Sequence, residues 1–251
     1  MKTNLKDVTF LILVRIDSIE RLENLMAVIA FIRRHFDTNI HVLECASYNN
    51  GYLKKLLGKN VHYSFQEDSD VILYRTKYLN QMLQHVGTPF VAIWDADVIV
   101  TINQLKECVE LLRTGIADFV YPYRRYFLDT TAIIRELFLK KKQINLLVKN
   151  AGKMEELYAP NPLGGGFLCR LDAYIEAGGE NEKYYGWGVE DGERFQRFTK
   201  LGYRVKRLEG VMFHLYHPRG INSRIHHPDQ DIIKIRALVE SANLEKKIFS
   251  S

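Results

Sequence analysis

Two adjacent carboxylates, Glu190 and Asp191, directly follow a Gly-Trp-Gly-Val segment. We predict that they begin a helix, where the helix dipole favours ionised acids and the preceding glycines allow a tight turn beside a ligand. The indole of Trp187 offers a flat apolar surface on which a sugar ring can pack. A carboxylate presented in this way can remove the proton of a hydroxyl group. The alternative is an ordinary acidic first turn on a solvated helix.

A second acidic motif, Asp95-Ala96-Asp97, follows an apolar run whose start is marked by Pro89. The run predicts a buried strand, so the acids lie at its carboxyl end. Ligands bind outside the carboxyl ends of strands in open α/β sheets. Two carboxylates there can hold Mn²⁺ or Mg²⁺ against a diphosphate. Asp-x-Asp is also common in simple turns.

The elements that must position these acids alternate between strands and helices. We predict strands at residues 8–14, 39–44, 62–65, 119–123, 203–207 and 211–216, and from Phe90 onward. We predict helices at residues 18–35, 71–86 and 230–247. Such alternation indicates an α/β fold with a mostly parallel sheet and helices on both of its faces.

The first strand ends in Val-Arg-Ile-Asp-Ser, where a nucleotide diphosphate meets the first loop of such sheets. Arg15 can contact the diphosphate, whereas Ser18 or Asp17 caps the helix that follows. For Asp17, a helix cap is favoured over a role in binding the nucleotide. Glu44 ends the second strand and is either a ligand for a ribose or uracil or a solvated strand end.

Two histidines, His214 and His217, end an apolar run and precede Pro218. Neutral imidazole binds Mn²⁺ and similar ions, and would complete a shell of carboxylate, diphosphate and imidazole. The stretch 218–229 has little apolar content and is interpreted as a loop. His226 and His227, within it, are interpreted as solvated.

These motifs resemble those of GT-A glycosyltransferases, most closely the β-1,4-galactosyltransferase family and the bacterial family 2 inverting enzymes. The resemblance lies in residues 75–80, 164–167 (Gly-Gly-Gly-Phe), 186–191 (Gly-Trp-Gly-Val-Glu-Asp) and 214–217. It runs in order over residues 14–222, and the block at 186–191 is the most specific part. Where the family has a Met-x-x-His metal pair, this chain has His-x-x-His.

The resemblance implies one GT-A domain over residues 1–251, with a nucleotide-binding half at about 1–100 and an acceptor and catalytic half at about 101–251. It implies inverting, metal-dependent transfer of a hexose, of galactose or N-acetylgalactosamine type, from a UDP-sugar to a saccharide or glycolipid hydroxyl. A bacterial role in polysaccharide biosynthesis is expected, and the loop at 218–229 is expected to close over the donor.

The resemblance also assigns roles to residues. Asp191 is the expected catalytic base, and Glu190 binds donor-sugar hydroxyls or orients Asp191. Asp97 binds the metal with His214 and His217. The nucleotide-sugar is bound by Arg15, Glu44, Arg75, Asp95, Gly165, Gly166 and Trp187. The family has a further acid directly after the Glu-Asp pair, used with the acceptor, and here that residue is Gly192.

Composition sets the remaining bounds. A chain of 251 residues with 47% hydrophobic and 26% charged residues can bury a sizeable core. No apolar run reaches the roughly 20 residues of a membrane span, and the amino terminus lacks the apolar region of a secretory signal, so a cytoplasmic protein is expected. Cys45, Cys108 and Cys169 are interpreted as buried small hydrophobes rather than disulfide or zinc ligands.

A modest excess of basic residues, formally +5, suits a nucleotide diphosphate. Residues 126–147 mix apolar clusters with charge and are flanked by Arg124, Arg125 and the run Lys140-Lys141-Lys142. They are interpreted as a helical segment that covers the sheet or, alternatively, attaches to a membrane near a lipid-linked acceptor. No motif for nucleic acid is visible.

Two other classes of function remain open. Asp-x-Asp after an apolar strand also begins the site of haloacid-dehalogenase phosphohydrolases, in which Asp95 would be the nucleophile. The motif lies unusually late in the chain for that class, and Ile99 occupies a position where Thr or Val is usual. The second class is a sugar-binding module that has kept the fold without transfer activity.

Overall fold

The computed structural model describes residues 1–220, 222 and 228–244. The strands of this part are β1 Thr3–Val14, β2 Phe36–Ala46, β3 His62–Glu67, β4 Phe90–Trp94, β5 Val98–Ile99, β6 Phe119–Tyr121, β7 Tyr126–Asp129, β8 Glu155–Leu157, β9 Gly166–Arg170, β10 Val205–Arg207 and β11 Val211–His214. Its helices are α1 Ile19–His35, α2 Tyr52–Leu57, α3 Arg75–Leu83, α4 Ile102–Arg113, α5 Ala132–Lys141, α6 Ile144–Lys149, α7 Leu171–Glu176, α8 Glu190–Lys200 and α9 Pro228–Ala242.

The larger of two sheets has seven strands in the order β10-β6-β9-β4-β1-β2-β3. The neighbouring pairs β10–β6, β4–β1, β1–β2 and β2–β3 are parallel. Strand β9 is inserted antiparallel between β4 and β6. The prediction of an α/β fold with a mostly parallel sheet is therefore confirmed.

Strand β1 is buried on both faces because alternate side chains enter different cores. Phe10 and Ile12 pack with Leu25 of α1 and Cys108 of α4 in one core, whereas Leu11 packs with helices α3, α7 and α8 in the other. Side chains at successive strand positions point to opposite faces, so helices can cover both. Each fully buried aliphatic or aromatic side chain of this kind contributes about 1.5–3 kcal/mol.

The first helix begins where the sequence predicted. The Ser18 hydroxyl accepts a hydrogen bond from the Arg21 backbone N–H at 3.2 Å, which caps the helix. The chain becomes extended again at Phe36 and enters β2 directly. The connection between β1 and α1, residues 15–18, lies at the carboxyl end of β1 and borders the cavity described below.

A second sheet of four strands, in the order β5-β11-β7-β8, was not predicted. Within it, His214 on β11 pairs with Val98 on β5 and with Asp129 on β7. Strand β5 has only two residues, too few for any alternation to show in the sequence. This sheet places the histidine motif beside the Asp-x-Asp motif.

Several element boundaries differ from the prediction. Helix α3 begins at Arg75 instead of residue 71, because the Asp68 and Asp70 carboxylates accept backbone N–H groups two residues ahead and form turns. The expected helical segment at 126–147 consists of strand β7, helix α5 and helix α6. Strand β11 ends at His214 rather than at residue 216.

The carboxyl-terminal helix spans Pro228–Ala242, whereas the prediction ran over residues 230–247. Residues 245–247, His226, His227 and half of the expected lid at 218–229 lie outside the described residues. The three cysteines are buried and free, as predicted. Among the described residues, no helix combines the length and apolarity needed to cross a membrane.

Candidate active site

A cavity of about 510 Å³ lies at the carboxyl ends of β1 and β4. Most of the residues singled out in the sequence line it, namely Arg15, Arg75, Asp95, Asp97, Gly164, Gly165, Trp187, Glu190, Asp191, His214 and His217. Glu44 and Gly166 are not among the residues that line it. The structure thus brings together two acidic motifs that are far apart in the sequence.

The first acid of the Asp-x-Asp motif is held by a cation. Asp95 follows β4 directly, and its Oδ1 lies 2.6 Å from Arg75 Nη2 at the start of α3. Burial raises the pKa of Asp95 to about 6, although the charge of Arg75 opposes this. The Asp95 backbone N–H donates to the Gly165 carbonyl at 2.9 Å, which fixes the motif against the glycine-rich segment.

The second acid, Asp97, meets both histidines. Its Oδ2 lies 3.1 Å from His217 Nε2 and 3.7 Å from His214 Nε2. One possible ligand atom from each of the three residues lies within 4.8 Å of the others. Burial would raise the pKa of Asp97, but the two histidines hold it well below its usual value. One carboxylate and two imidazoles at these separations form a suitable set of ligands for Mn²⁺ or a similar ion.

Each histidine is oriented by a partner on its other ring nitrogen. His214 Nδ1 lies 2.8 Å from Asp129 Oδ1, and His217 Nδ1 lies 2.9 Å from the Pro218 carbonyl oxygen. These contacts leave both Nε2 atoms directed at Asp97. Such outer contacts fix the tautomer and the ring orientation of metal-binding histidines.

Sequence reasoning missed Asp129 and also Arg21. Asp129 reaches His214 only because β7 pairs with β11, and nothing local in the sequence marks that pairing. Arg21 Nη1 lies 3.7 Å from Asp97 Oδ2, and its Nε lies 2.9 Å from Asp17 Oδ1. The spacing of Asp17 and Arg21, four residues apart across a helix start, could have indicated the second pair.

The Glu-Asp pair begins helix α8 as predicted. Gly188 has φ +120°, in the region that favours glycine, and its N–H donates to Glu190 Oε2 at 2.9 Å. Burial, together with the charge of Asp191, raises the pKa of Glu190 to about 7. Asp191 remains partly exposed in the cavity and accepts a hydrogen bond from Arg194.

The glycine-rich segment packs closely on three sides. A Cβ at Gly164 would lie 2.9 Å from Asp191 Oδ2. A Cβ at Gly165 would overlap Met212, and one at Gly166 would lie 2.7 Å from the Trp94 ring. The absence of a side chain at Gly164 thus allows the close approach of Asp191 on helix α8, and its absence at Gly166 allows β9 to pack on Trp94 of β4.

Two residues predicted to bind the nucleotide have protein partners. Arg15 Nη1 donates to the carbonyl groups of Asp70 and Val71, at 2.7 and 3.1 Å, and its Nη2 donates to Asp68 at 2.6 Å. Its guanidinium therefore holds the loop that precedes α3. Glu44 is buried and accepts a hydrogen bond from the Tyr63 hydroxyl at 2.6 Å.

Aromatic and basic side chains complete the cavity. The Tyr158 ring lies 6.3 Å from the ring of Trp187, and both residues line the cavity. The Arg219 guanidinium lies 5.7 Å from the Tyr158 ring centre. Like Arg21, Arg219 is a basic residue of the cavity that the sequence reasoning did not select. Flat aromatic faces of this kind suit a sugar ring.

Residues 150–218 match a family model described as the N-terminal domain of galactosyltransferase. The matched part includes the glycine-rich segment, the Gly-Trp-Gly-Val-Glu-Asp block and both histidines. Among the curated proteins, none matches the sequence.

Solved structures resemble the whole chain. One is the catalytic domain of Drosophila β-1,4-galactosyltransferase 7 in complex with xylobiose, with TM-score 0.58, 16% identity and coverage of 93% of this chain and 79% of that one. Another is a mannosyltransferase from Pyrobaculum calidifontis in complex with GDP-mannose and Mn²⁺, with TM-score 0.56, 15% identity and coverage of 94% and 73%. The chain has the fold of a GT-A glycosyltransferase. Together with the family model, this fold confirms the resemblance and supports a glycosyltransferase.

The contact between Gly164 and Asp191 gives a first prediction. Gly164→Ala should push the Asp191 carboxylate away and lower the rate of glycosyl transfer by about 10- to 100-fold, since small displacements at a reacting centre cost that much. Stability should change by less than about 1 kcal/mol, because the Cβ meets the end of a movable side chain. Nucleotide release and thermal unfolding measure the two effects.

Gly152→Ala is the matched control, because a Cβ at Gly152 would have no neighbour within 4 Å. Its transfer rate should equal that of the wild type. Equal rates in Gly164→Ala and Gly152→Ala would show that the orientation of Asp191 does not depend on this contact.

Proposed function

We propose that this glycosyltransferase is an inverting, metal-dependent hexosyltransferase that uses a UDP-sugar and a saccharide or glycolipid acceptor. The observation that carries the proposal is that one cavity contains both a set of metal ligands, Asp97 with His214 and His217, and a carboxylate at a helix start, Asp191. A transferase of this kind needs both a site for the diphosphate and a base for the acceptor hydroxyl.

Asp97, His214 and His217 would hold the metal, Mn²⁺ or Mg²⁺. The bound ion supplies neutralisation of the negative charge that develops on the departing diphosphate. The two Nε2 atoms directed at Asp97 support this assignment. The solved mannosyltransferase that shares the fold is a complex with Mn²⁺.

In the proposed reaction, the oxygen of an acceptor hydroxyl forms a bond to the anomeric carbon of the donor sugar. The bond from that carbon to the β-phosphate oxygen breaks, and its electron pair leaves with UDP. The hydroxyl proton passes to Asp191. Since the attack comes from the face opposite UDP, the anomeric configuration inverts.

Other cavity residues bind and orient the substrates. Glu190, whose pKa is raised to about 7 by burial and by Asp191, contacts donor-sugar hydroxyls or orients Asp191. Trp187 packs on a sugar ring. Arg75 binds the nucleotide-sugar together with Asp95, to which it is paired.

The donor assignment combines a galactosyltransferase family match with the resemblance of the sequence motifs. Galactose or N-acetylgalactosamine is therefore the favoured sugar, on UDP. The mannosyltransferase complex with GDP-mannose makes GDP-sugars the necessary comparison. We infer that residues 1–100 form the nucleotide half and residues 101–251 the acceptor half, as Asp95 and Asp97 come from the first and Asp191 from the second.

The alternative functions have less support. A phosphohydrolase would need Asp95 as a nucleophile, but that carboxylate is paired with Arg75, and both similar structures are glycosyltransferases. A sugar-binding module without transfer would bind donor but release no nucleotide, and a turnover assay separates the two.

Peripheral contact with an anionic membrane is part of the proposal for a lipid-linked acceptor. Ile133 and Leu137 are exposed on α5, and the basic run that ends this helix, residues 140–142, is exposed as well. Apolar and basic side chains together favour anionic membrane surfaces. The protein should sediment with vesicles that contain phosphatidylglycerol more than with neutral vesicles, and equal sedimentation would contradict the contact.

Asp191→Asn tests the base. The variant should keep Mn²⁺ and UDP binding while turnover of UDP-galactose falls by about two orders of magnitude or more, because the shape is kept and the basicity is lost. Calorimetry measures binding, and UDP release measures turnover.

Asp172→Asn is the matched control, since Asp172 also lies in the first turn of a helix but pairs with Arg170 on the surface. Its turnover should equal that of the wild type. A folded Asp191→Asn protein with normal turnover would remove Asp191 from the role and make Glu190 the next candidate.

The metal site is tested by a double-mutant cycle. Asp97→Ala and His217→Ala should each weaken Mn²⁺-dependent UDP binding, and the double variant should lose little more than the worse single one, because residues that share one ion are not additive. His62→Ala is the control, as that exposed histidine stacks on His41 away from the cavity. Unchanged Mn²⁺ and UDP affinity in His217→Ala would show that the histidines are structural.

A further inference from the structure

A buried guanidinium lies directly behind the proposed base. The Arg194 side chain is 2% exposed, and its Nη2 donates to Asp191 Oδ1. The two residues are three positions apart on α8, so one face of the helix carries both. The other carboxylate oxygen, Oδ2, faces Gly164 at the cavity wall.

Arg194 is itself fixed from the opposite side. Its Nη1 donates to both carboxylate oxygens of Glu180, at 2.6 and 2.8 Å. Glu180 is also buried and accepts a hydrogen bond from the Tyr174 hydroxyl. The guanidinium lies 4.5 Å from the centre of the Phe167 ring, over its face. These contacts leave the guanidinium little freedom to move.

We propose that Arg194 is a positioning residue for the transfer reaction, holding Asp191 by Oδ1 so that Oδ2 is presented to the acceptor hydroxyl. This inference rests on the proposed function only for the role of Asp191 as base. Glu180 then affects Asp191 indirectly, because it fixes the position of Arg194.

The geometry favours this role over a purely structural one. An ion pair between Arg194 and Glu180 alone would already compensate the charge of the buried arginine, since each partner balances the charge of the other. The arginine nevertheless extends one N–H group to a partly exposed carboxylate in the cavity, Asp191, whose side chain is 30% exposed. A planar guanidinium can bind two carboxylates in fixed directions, which a lysine ammonium cannot.

Arg194→Lys is the first test, because it keeps the positive charge and loses the fixed geometry. The kcat for UDP release from UDP-galactose with Mn²⁺ should fall by about 10- to 100-fold, with little change in the KM for the donor. In an Asp191→Asn background, Arg194→Lys should cause almost no further loss, because the two residues act as a unit. A full additional loss in that background would overturn the proposal.

Arg197→Lys is the matched control. Arg197 is also buried on α8, where it pairs with Glu193 at 2.8 Å and donates to backbone carbonyls of Ala177 and Gly179. Its replacement removes a comparable set of contacts without touching Asp191. Thermal stability should fall in both variants, while kcat per folded molecule should fall only in Arg194→Lys. An equal fall of kcat in both would overturn the proposal.

Crystal structures of wild type and Arg194→Lys provide a readout that does not depend on turnover. The Asp191 carboxylate should rotate or become multiply oriented in the variant, whereas the same single orientation in both would overturn the positioning role. If the wild-type protein releases no nucleotide from UDP-sugars or GDP-sugars, the proposed function fails, and this structural comparison still decides whether Arg194 orients Asp191.

Discussion

The four carboxyl groups of the Asp-x-Asp and Glu-Asp motifs line one cavity, and like charges at such short range repel unless each is compensated. The compensations in this site are separate, in the pairings Asp95 with Arg75, Asp97 with His214 and His217, and Asp191 with Arg194. Burial raises the pKa of Asp95 to about 6 even beside Arg75, and burial together with Asp191 raises the pKa of Glu190 to about 7. Protonation of Glu190 would lower the negative charge of the cavity without a cation. The rest of the fold places the basic partners of these carboxylates within contact distance.

The partners come from elements distant in the chain. Arg75 begins α3, which packs in one core, while His214 ends β11 in the small sheet. The contact between Asp97 and His214 therefore exists only when the central sheet and the small sheet have both formed. Contacts with such long sequence separation are costly in loop-closure entropy. Burial of β1 between two cores supplies the stability that this arrangement needs.

The features that could be predicted from the sequence depend on neighbouring residues or on a specific motif. The start of α8 and the position of Asp95 after a strand depend on neighbouring residues, and both were predicted correctly. The cap of α1 was assigned to Ser18 or Asp17, with Asp17 favoured as a cap; it is Ser18, and Asp17 pairs with Arg21 instead. The small sheet was missed because its pairings join short segments that show no periodicity. Asp129 was missed for the same reason. Arg15 stays a predicted nucleotide contact and lines the cavity, while its contacts with the loop before α3 could not be read from its place after β1.

One departure from the resembling family, the glycine that directly follows the Glu-Asp pair, can be judged from its surroundings. Gly192 lines the cavity, and a Cβ there would meet no atom within 4 Å. An acid in the first turn of a helix is favoured by the helix dipole, so neither space nor local conformation excludes one. The backbone that would carry such an acid is present, and only the carboxylate is missing. At this position the first turn of α8 thus differs from the resembling family in its side chain rather than in its backbone, and the cavity has one fewer negative charge to compensate.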